Sequence, residues 1–390
     1  MDSFSFFSPT KFVFGRQTEQ RVGELCREQG AQRVLLVYGG GSAQRCGLLA
    51  RVVASLDAAG IAHCALSGVQ PNPVDTKVYE GIAMAREFRP GLILAVGGGS
   101  VIDTAKAIAA GFAYDGDFWD FHIKRASITS ALPVGVVLTI PAAGSEGSTS
   151  CVITQVSTKI KAGSHSDLIR PKFAVMNPEL TFTLPAWQTA SGITDMMAHI
   201  LERYLSNSTD VQIGDRLAEG MLMAIMEVAP RVMAQPDDYD ARANIMWCAT
   251  IAHNDSCSLG RQEDWTSHAM EHEISAEYDA THGAGLAVIF PAFLRYAAER
   301  NPHKIAQLAH RVLGVPDSGD QQADALAGVV RLKTWLRDVL HMPVSFAQLG
   351  IEHPDLELMN TRLHRLKGDV MHGYLDLDAE ATMDIYRLAL

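Results

Sequence analysis

Five residues in one half of this 390-residue chain carry the donor atoms of a transition-metal site at helical spacing. Asp195 precedes His199 by four positions, His268 precedes His272 by four, and His282 follows ten residues later. Residues four apart on an α-helix share a face about one turn apart, so each pair aims two side chains at one point. One carboxylate with several imidazoles suits Zn²⁺ or Fe²⁺, whereas Ca²⁺ and Mg²⁺ take oxygen ligands. A zinc-protease reading requires His-Glu-x-x-His, but His272-Glu273 runs on into Ile274-Ser275-Ala276. A helical metal site without that glutamate suggests an ion that holds a substrate oxygen.

A second chemistry is written in glycine. Gly-Gly-Gly-Ser occurs at 39–42 and again at 97–100, each time between an apolar run and a helical pattern. At the carboxyl edge of a parallel sheet such loops let a phosphate approach the backbone and the free N–H groups of the next helix. Ser100-Val101-Ile102-Asp103 has the form of a capping box, with Lys106 as an i+3 partner of Asp103. A third stretch, Thr139 to Glu146, is rich in small residues. The pattern differs from the G-x-G-x-x-G fingerprint of a standard Rossmann domain, yet three such loops at one edge predict a dinucleotide pocket.

The elements that must position these groups differ between the two halves. From about Leu35 to Met176 short apolar runs alternate with helical stretches, as in a parallel α/β sheet. Strands are expected at 33–37, 63–66, 92–96 and 135–138, with helices over 43–59 and after Pro71-Asn72-Pro73. Beyond Pro185 the strand signals fade and amphipathic patterns continue to the end. The fold class is therefore α/β plus all-α: a Rossmann-like domain over 1–184 and a helical domain over 185–390. The loop 316–320 separates helices within the second half.

Composition removes several function classes. A net charge of −11 with no lysine/arginine run argues against nucleic acid. The six cysteines include no C-x-x-C and read as reduced thiols. The start lacks a basic, apolar signal peptide, and no stretch reaches roughly 18 apolar residues. A soluble cytoplasmic enzyme without membrane or nucleic-acid partners is expected.

At this point the chain resembles the iron-containing (group III) alcohol dehydrogenases, whose fold is also that of dehydroquinate synthase. Gly97-Gly98-Gly99-Ser100-x-x-Asp103-x-Ala105-Lys106 is similar to that family's cofactor signature, and Asp195-x-x-x-His199 and His268-x-x-x-His272-x9-His282 to its metal signatures. Tyr38-Gly39-Gly40-Gly41-Ser42 and Gln262-Glu263-Asp264-Trp265 resemble the NADPH-dependent aldehyde reductase or butanol dehydrogenase branch. The resemblance implies Asp195, His199, His268 and His282 as ligands of one divalent ion, Fe²⁺ or Zn²⁺. It implies His272 beside the nicotinamide as a proton relay. It assigns the pyrophosphate to Gly98, Gly99 and Ser100, the nicotinamide end to Asp103, and phosphate or ribose contacts to Thr139 and Lys161. Thr181, Phe182 and Leu184 would bracket the adenine. It also implies a homodimer paired through N-terminal strands, for which Phe4, Phe6, Phe12 and Phe14 supply aromatic residues.

Two departures from the family are visible. Ala143 replaces a cofactor-facing threonine, and His253-Asn254-Asp255-Ser256-Cys257 is polar where an apolar lining is usual. Those five side chains either line the pocket, and so favour a hydroxylated or charged substrate, or face solvent in a loop. With no acid at 38–42, and with Ser42 and Arg45 nearby, NADP(H) is expected over NAD. The expected activity is hydride transfer between NADP(H) and a small aldehyde or primary alcohol. A dehydroquinate-synthase-like lyase would want clustered cations, of which only Arg261 is near; a glycerol-dehydrogenase-like enzyme shares the fold. A metal-dependent hydrolase leaves the glycine loops idle, and a non-enzymatic interaction protein explains neither motif.

Overall fold

The computed structural model describes residues 1–390. Contacts divide the chain into two units: residues 7–184 with 236–250, and residues 1–6, 185–235 and 251–390. Residues 1–6 and 236–250 thus each belong to the other unit than their place in the sequence suggests.

The first unit is built on β1 (Lys11–Phe14), α1 (Val22–Glu28), β2 (Arg33–Tyr38), α2 (Ser42–Arg45), α3 (Leu48–Ala58), β3 (Ala62–Leu66), α4 (Asp75–Phe88), β4 (Leu92–Gly97), α5 (Gly99–Phe112), α6 (Trp119–His122), β5 (Val134–Leu138), β6 (Ser150–Gln155), β7 (Ile160–His165) and β8 (Phe173–Met176). Six strands form one parallel sheet in the order β1-β8-β5-β4-β2-β3. The strands are near-continuous apolar runs because both faces are covered. Leu35, Val37, Ile93 and Ala95 enter one buried cluster, while Val34, Leu36, Leu92, Leu94 and Val96 enter the other.

The expected strands over 33–37, 63–66, 92–96 and 135–138 are present. The helix expected over 43–59 is broken into α2 and α3, because Gly47 adopts φ 73° between them. β1 pairs in parallel with β8 at the edge of the sheet, and no strand forms at Phe4 or Phe6. β6 and β7 make a separate antiparallel pair that the sequence pattern did not announce.

In the second unit α7 (Ala186–Tyr204) packs on α8 (Gln212–Ala234). α9 (Tyr239–His253) lies mainly in the first unit, where Trp247 meets Phe12 edge-to-face at 5.5 Å. α10 (Thr266–Tyr278), α11 (His282–Ala298), α12 (His303–Arg311), α13 (Gln321–Asp338), α14 (Leu356–Lys367) and α15 (Ala379–Leu388) complete the helical unit. Buried ion pairs fix its interior: Asp215 contacts Lys304 at 2.5 Å and Arg261 at 3.0 Å.

Candidate metal centre and cofactor edge

Three helices bring the histidines and the aspartate together. Asp195 and His199 lie one turn apart on α7, His268 lies in the first turn of α10, and His282 opens α11. The glycines around His282 answer to packing. A Cβ at Gly283 would sit 2.0 Å from the Ser191 carbonyl on α7, and one at Gly285 would sit 2.6 Å from Glu271 Oε1. Only glycine lets α11 begin this close to α7, and that closeness carries His282 to Asp195.

The result is a carboxylate oxygen ringed by imidazoles. Asp195 Oδ1 lies 3.4 Å from His199 Nε2, 3.7 Å from His268 Nε2 and 3.8 Å from His282 Nε2. Donor atoms bound to one ion at about 2.0–2.2 Å stand roughly this far apart. Asp195 Oδ1 and His268 Nε2 are both buried without a hydrogen-bond partner, an expensive state that a cation would relieve.

The carboxylates behind the ring fix which nitrogen faces inward. Glu202 on α7 pairs with His268 Nδ1 and accepts the His268 amide at 3.0 Å, while Glu271 on α10 pairs with His282 Nδ1. Each imidazole donates its Nδ1 proton outward and turns the Nε2 lone pair to the centre, the usual support of a histidine ligand. Burial pulls the His268 imidazolium down, yet Glu202 and Asp195 outweigh it and lift the group to about 9. Burial, with His253, His268 and Arg203 around it, holds His199 well below its ordinary value.

Glu271, His272 and His282 form a second close trio. Both Glu271 oxygens are engaged, however, with Ser275 Oγ and with His282, so that trio lacks a free carboxylate. His272 is half-buried, its ring centroid 5.7 Å from that of His282 and 6.4 Å from that of His268. It stands beside the Asp195-centred set and outside it.

Glu202, Glu271 and Arg203 were missed from the sequence. The signal was present: Glu202 and Arg203 lie three and four residues after His199, and Glu271 three after His268. Arg203 faces His199 for that reason, whereas Glu202 and Glu271 meet His268 and His282 on neighbouring helices. Of the polar stretch 253–257, His253 is buried with its ring 4.3 Å from that of His199, and Cys257 is buried as well. Asn254, Asp255 and Ser256 are half-buried.

In the first unit the register aligns the strand ends. Tyr38 pairs with Val96, Gly97 with Leu138, and Val137 with Val175. Gly39–Ser42, Gly98–Ser100, Thr139 and the turn leading to Thr181, Phe182 and Leu184 therefore all leave from one sheet edge. Around the second tetrapeptide, side chains fill the space at Gly97 and Gly98, where a Cβ would meet Val101 at 2.5 Å and Ile140 at 2.9 Å. Gly99 faces open space, as does Gly40 in the first copy. The earliest α5 amides to find a partner within the helix are Val101 and Ile102, both bonding Gly98 O, so the first turn offers its remaining N–H groups outward.

The capping box does not form. α5 starts at Gly99 with no side-chain cap, and Asp103 instead accepts from the Val152 amide at 2.9 Å and from Ser145 Oγ at 2.6 Å. The reason is Lys106, whose buried ammonium donates to Ser145, Ser148 and Ser150 and draws that loop onto α5. Lys106 is a buried organiser of the loop. Burial draws its ammonium down to about 8, with Asp103 acting against the shift, and raises the Asp103 carboxyl despite Lys106, Ser145 and Val152. Lys161 is buried and reaches Asn72 Oδ1 at 3.3 Å, and Thr139 donates its amide to Gly97 O. Thr181 is wholly buried with its hydroxyl given to Pro178 O, while Phe182 and Leu184 keep partial exposure. Arg45 folds back so that its Nη1 lies 2.5 Å from where a Gly41 Cβ would stand.

A parallel-sheet unit with an open glycine edge and a helical unit with a preformed Asp/His₃ set define a metal-dependent nicotinamide oxidoreductase. Comparison with known proteins supplies the family. The iron-containing alcohol dehydrogenase profile matches residues 9–178, and the C-terminal profile of the Fe-containing alcohol dehydrogenase family matches residues 189–369. The chain is 42% identical to a probable NADH-dependent butanol dehydrogenase 1 of Bacillus subtilis, with 100% of both chains covered. It is 33% identical to the NADPH-dependent aldehyde reductase YqhD of Escherichia coli over 99% of this chain and 98% of that one. The crystal structure of an NADH-dependent butanol dehydrogenase A from Thermotoga maritima superposes with a TM-score of 0.96 at 40% identity, covering 100% of this chain and 99% of that one.

The chain belongs to the iron-containing alcohol dehydrogenase family. It is an alcohol dehydrogenase/aldehyde reductase type of oxidoreductase that uses a metal and a nicotinamide cofactor. The dehydroquinate-synthase-like alternative loses its one nearby cation, since Arg261 is committed to Asp215 and to the carbonyls of Arg203 and Val211. No helix is long and apolar enough to cross a membrane.

Proposed function

We propose that the protein interconverts a small aldehyde and its primary alcohol with NADP(H), using one Fe²⁺ or Zn²⁺ held by Asp195, His199, His268 and His282. The observation that carries this is Asp195 Oδ1, buried and unpartnered, with three imidazole Nε2 atoms at 3.4–3.8 Å. When bound, the ion supplies Lewis acidity toward a carbonyl oxygen and the nicotinamide supplies or accepts the hydride. Glu202 and Glu271 hold His268 and His282 with their lone pairs inward. His272, next to that set and not part of it, delivers the proton to the nascent alkoxide oxygen and removes it in the reverse direction.

The cofactor's pyrophosphate falls to Gly98, Gly99 and Ser100, supported by the free first-turn amides and by the open space at Gly99. Asp103, Thr139, Lys161, Thr181, Phe182 and Leu184 complete the cofactor set in this reading. The relatives divide between NADH and NADPH, so the choice rests on the corner after β2. That corner, Gly39-Gly40-Gly41-Ser42, has no carboxylate to repel a 2′-phosphate, and Arg45 lies against Gly41. His253, buried beside His199, supports a substrate with a second oxygen over a plain alkyl aldehyde.

The assembly proposed is a homodimer. β1 leaves one sheet edge unpaired, and Phe4, Phe6, Phe14 and Trp247 are each 40% exposed or more. A clean monomer by light scattering at micromolar concentration would rule it out. None of the six cysteines forms a disulfide, which supports a cytoplasmic setting. The test of the activity is direct. Purified protein mixed with NADPH and a panel of alkyl and hydroxylated aldehydes should consume the reduced-nicotinamide absorbance, and no loss with any of them contradicts the reading.

A further inference from the structure

The three imidazoles of the metal centre are not equivalent. His268 and His282 each turn Nδ1 to a buried carboxylate, whereas His199 Nδ1 faces a cation, Arg203 Nη1, at 3.4 Å. A guanidinium only donates hydrogen bonds. A neutral histidine that binds an ion through Nε2 carries its proton on Nδ1, so N–H would then meet N–H.

Arg203 has no room to withdraw. Its side chain is 2% exposed, its Nε donates to Ser258 Oγ at 2.9 Å, and its Nη1 donates to the His199 carbonyl at 3.0 Å. Nη2 reaches His253 Nδ1 at 2.9 Å, and the guanidinium lies 4.7 Å from the Trp265 ring centroid. Glu263 Oε1 is 3.4 Å from Nε, not from the Nη1 that faces His199. A second observation agrees. Asp195, His268 and His282 offer ligand atoms all within 4.8 Å of one another, and His199 stands outside that trio.

We propose that Arg203 is a positioning residue that makes His199 the labile ligand of the metal centre, with Asp195, His268 and His282 holding the ion. This rests on the metal site argued above. Two effects act through Arg203: its charge opposes a dication nearby, and its N–H opposes the Nδ1 proton that a bound His199 must carry. A weakly held ligand leaves room in the ion's shell for a substrate donor.

The experiment is a titration of chelator-stripped full-length protein with Co²⁺, read by its visible absorption and by competition with a chromogenic chelator. His268→Ala and His282→Ala should weaken binding by ~1,000-fold or more, and His199→Ala by ~10-fold or less. Arg203→Met should tighten binding by ~10-fold and change the Co²⁺ spectrum, since outer groups of this kind move metal affinity by about 10–100-fold. Adding His199→Ala to Arg203→Met should erase that gain, because the two act as a coupled pair. A purely structural role for Arg203 would loosen the ion. An unchanged or weaker affinity in Arg203→Met, or a His199→Ala loss as large as that of His268→Ala, overturns the proposal. If Arg203→Met does not fold, the three alanine variants still decide it through the size of the His199 effect. Unimpaired Co²⁺ binding by both His268→Ala and His282→Ala would instead overturn the underlying site.

Discussion

In the helical unit every candidate histidine ligand has a side chain behind it: Glu202 behind His268, Glu271 behind His282, Arg203 behind His199. At the glycine edge of the α/β unit the candidate cofactor contacts are mostly backbone, and what matters at Gly40 and Gly99 is the side chain that is missing. A metal needs a few donor atoms fixed in direction, which takes rigid, partnered side chains. A pyrophosphate needs close approach and N–H groups, which takes glycine and a helix start. Substitutions should therefore act as switches in the helical unit and as graded changes at the glycine edge of the α/β unit.

The strongest test of this contrast short of the ligands themselves is His272→Ala. The variant should keep its metal and lose turnover by ~100-fold or more, with an altered pH profile, as expected when a proton-transfer group is removed. Loss of the metal would move His272 into the ligand set.

The ionic interior that steadies the helical unit gives the next effect. Asp215→Asn leaves Lys304 and Arg261 buried without their counter-charge and should cost about 3 kcal/mol in urea unfolding. Burial pushes the Asp215 carboxyl up, but Lys304, Gln307 and Arg261 outweigh it and hold it below its ordinary value. A folded-state value below the unfolded one means the contribution is present above about pH 4 and lost as pH falls through the folded value. The gap between wild type and variant should therefore narrow on acidification. A gap that widens would show that Asp215 is not charged in the fold.

Smaller, graded effects are expected at the glycine edge. Gly40 faces open space, so Gly40→Asp should fold normally and swing the NADPH/NADH efficiency ratio toward NADH by ~10–100-fold, roughly 1.4–2.8 kcal/mol. Equal use of both cofactors by the wild type would refute the proposed preference. Gly98 and Gly99 make the finest comparison. Gly98→Ala drives a Cβ against Ile140 and should lower the melting temperature, whereas Gly99→Ala meets nothing and should leave it unchanged while raising the cofactor KM by ~10-fold. Equal melting losses in both would break the distinction between a glycine that also packs and one whose room serves the cofactor alone.

How much of this was legible in the sequence follows the same divide. β2, β4 and β5 could be read because strands buried on both faces are unbroken apolar runs. β6 and β7 could not, since Ser150–Gln155 and Ile160–His165 mix polar and apolar residues without such a run. The ligand pairs were visible because a four-residue interval already fixes a helix face. Arg203 obeys the same interval after His199, but its role and that of Glu202 depend on the 253–263 segment and on α10 arriving opposite them. Ser100–Asp103 misled for a related reason: its local capping form lost to the tertiary network that Lys106 builds with Ser145, Ser148 and Ser150.

Metal analysis of purified wild type beside His268→Ala, with circular dichroism on both, tests the central claim most directly. The account predicts one Fe²⁺ or Zn²⁺ per wild-type chain, almost none in the variant, and the same helical content in each. Full metal occupancy in a folded His268→Ala protein would contradict it.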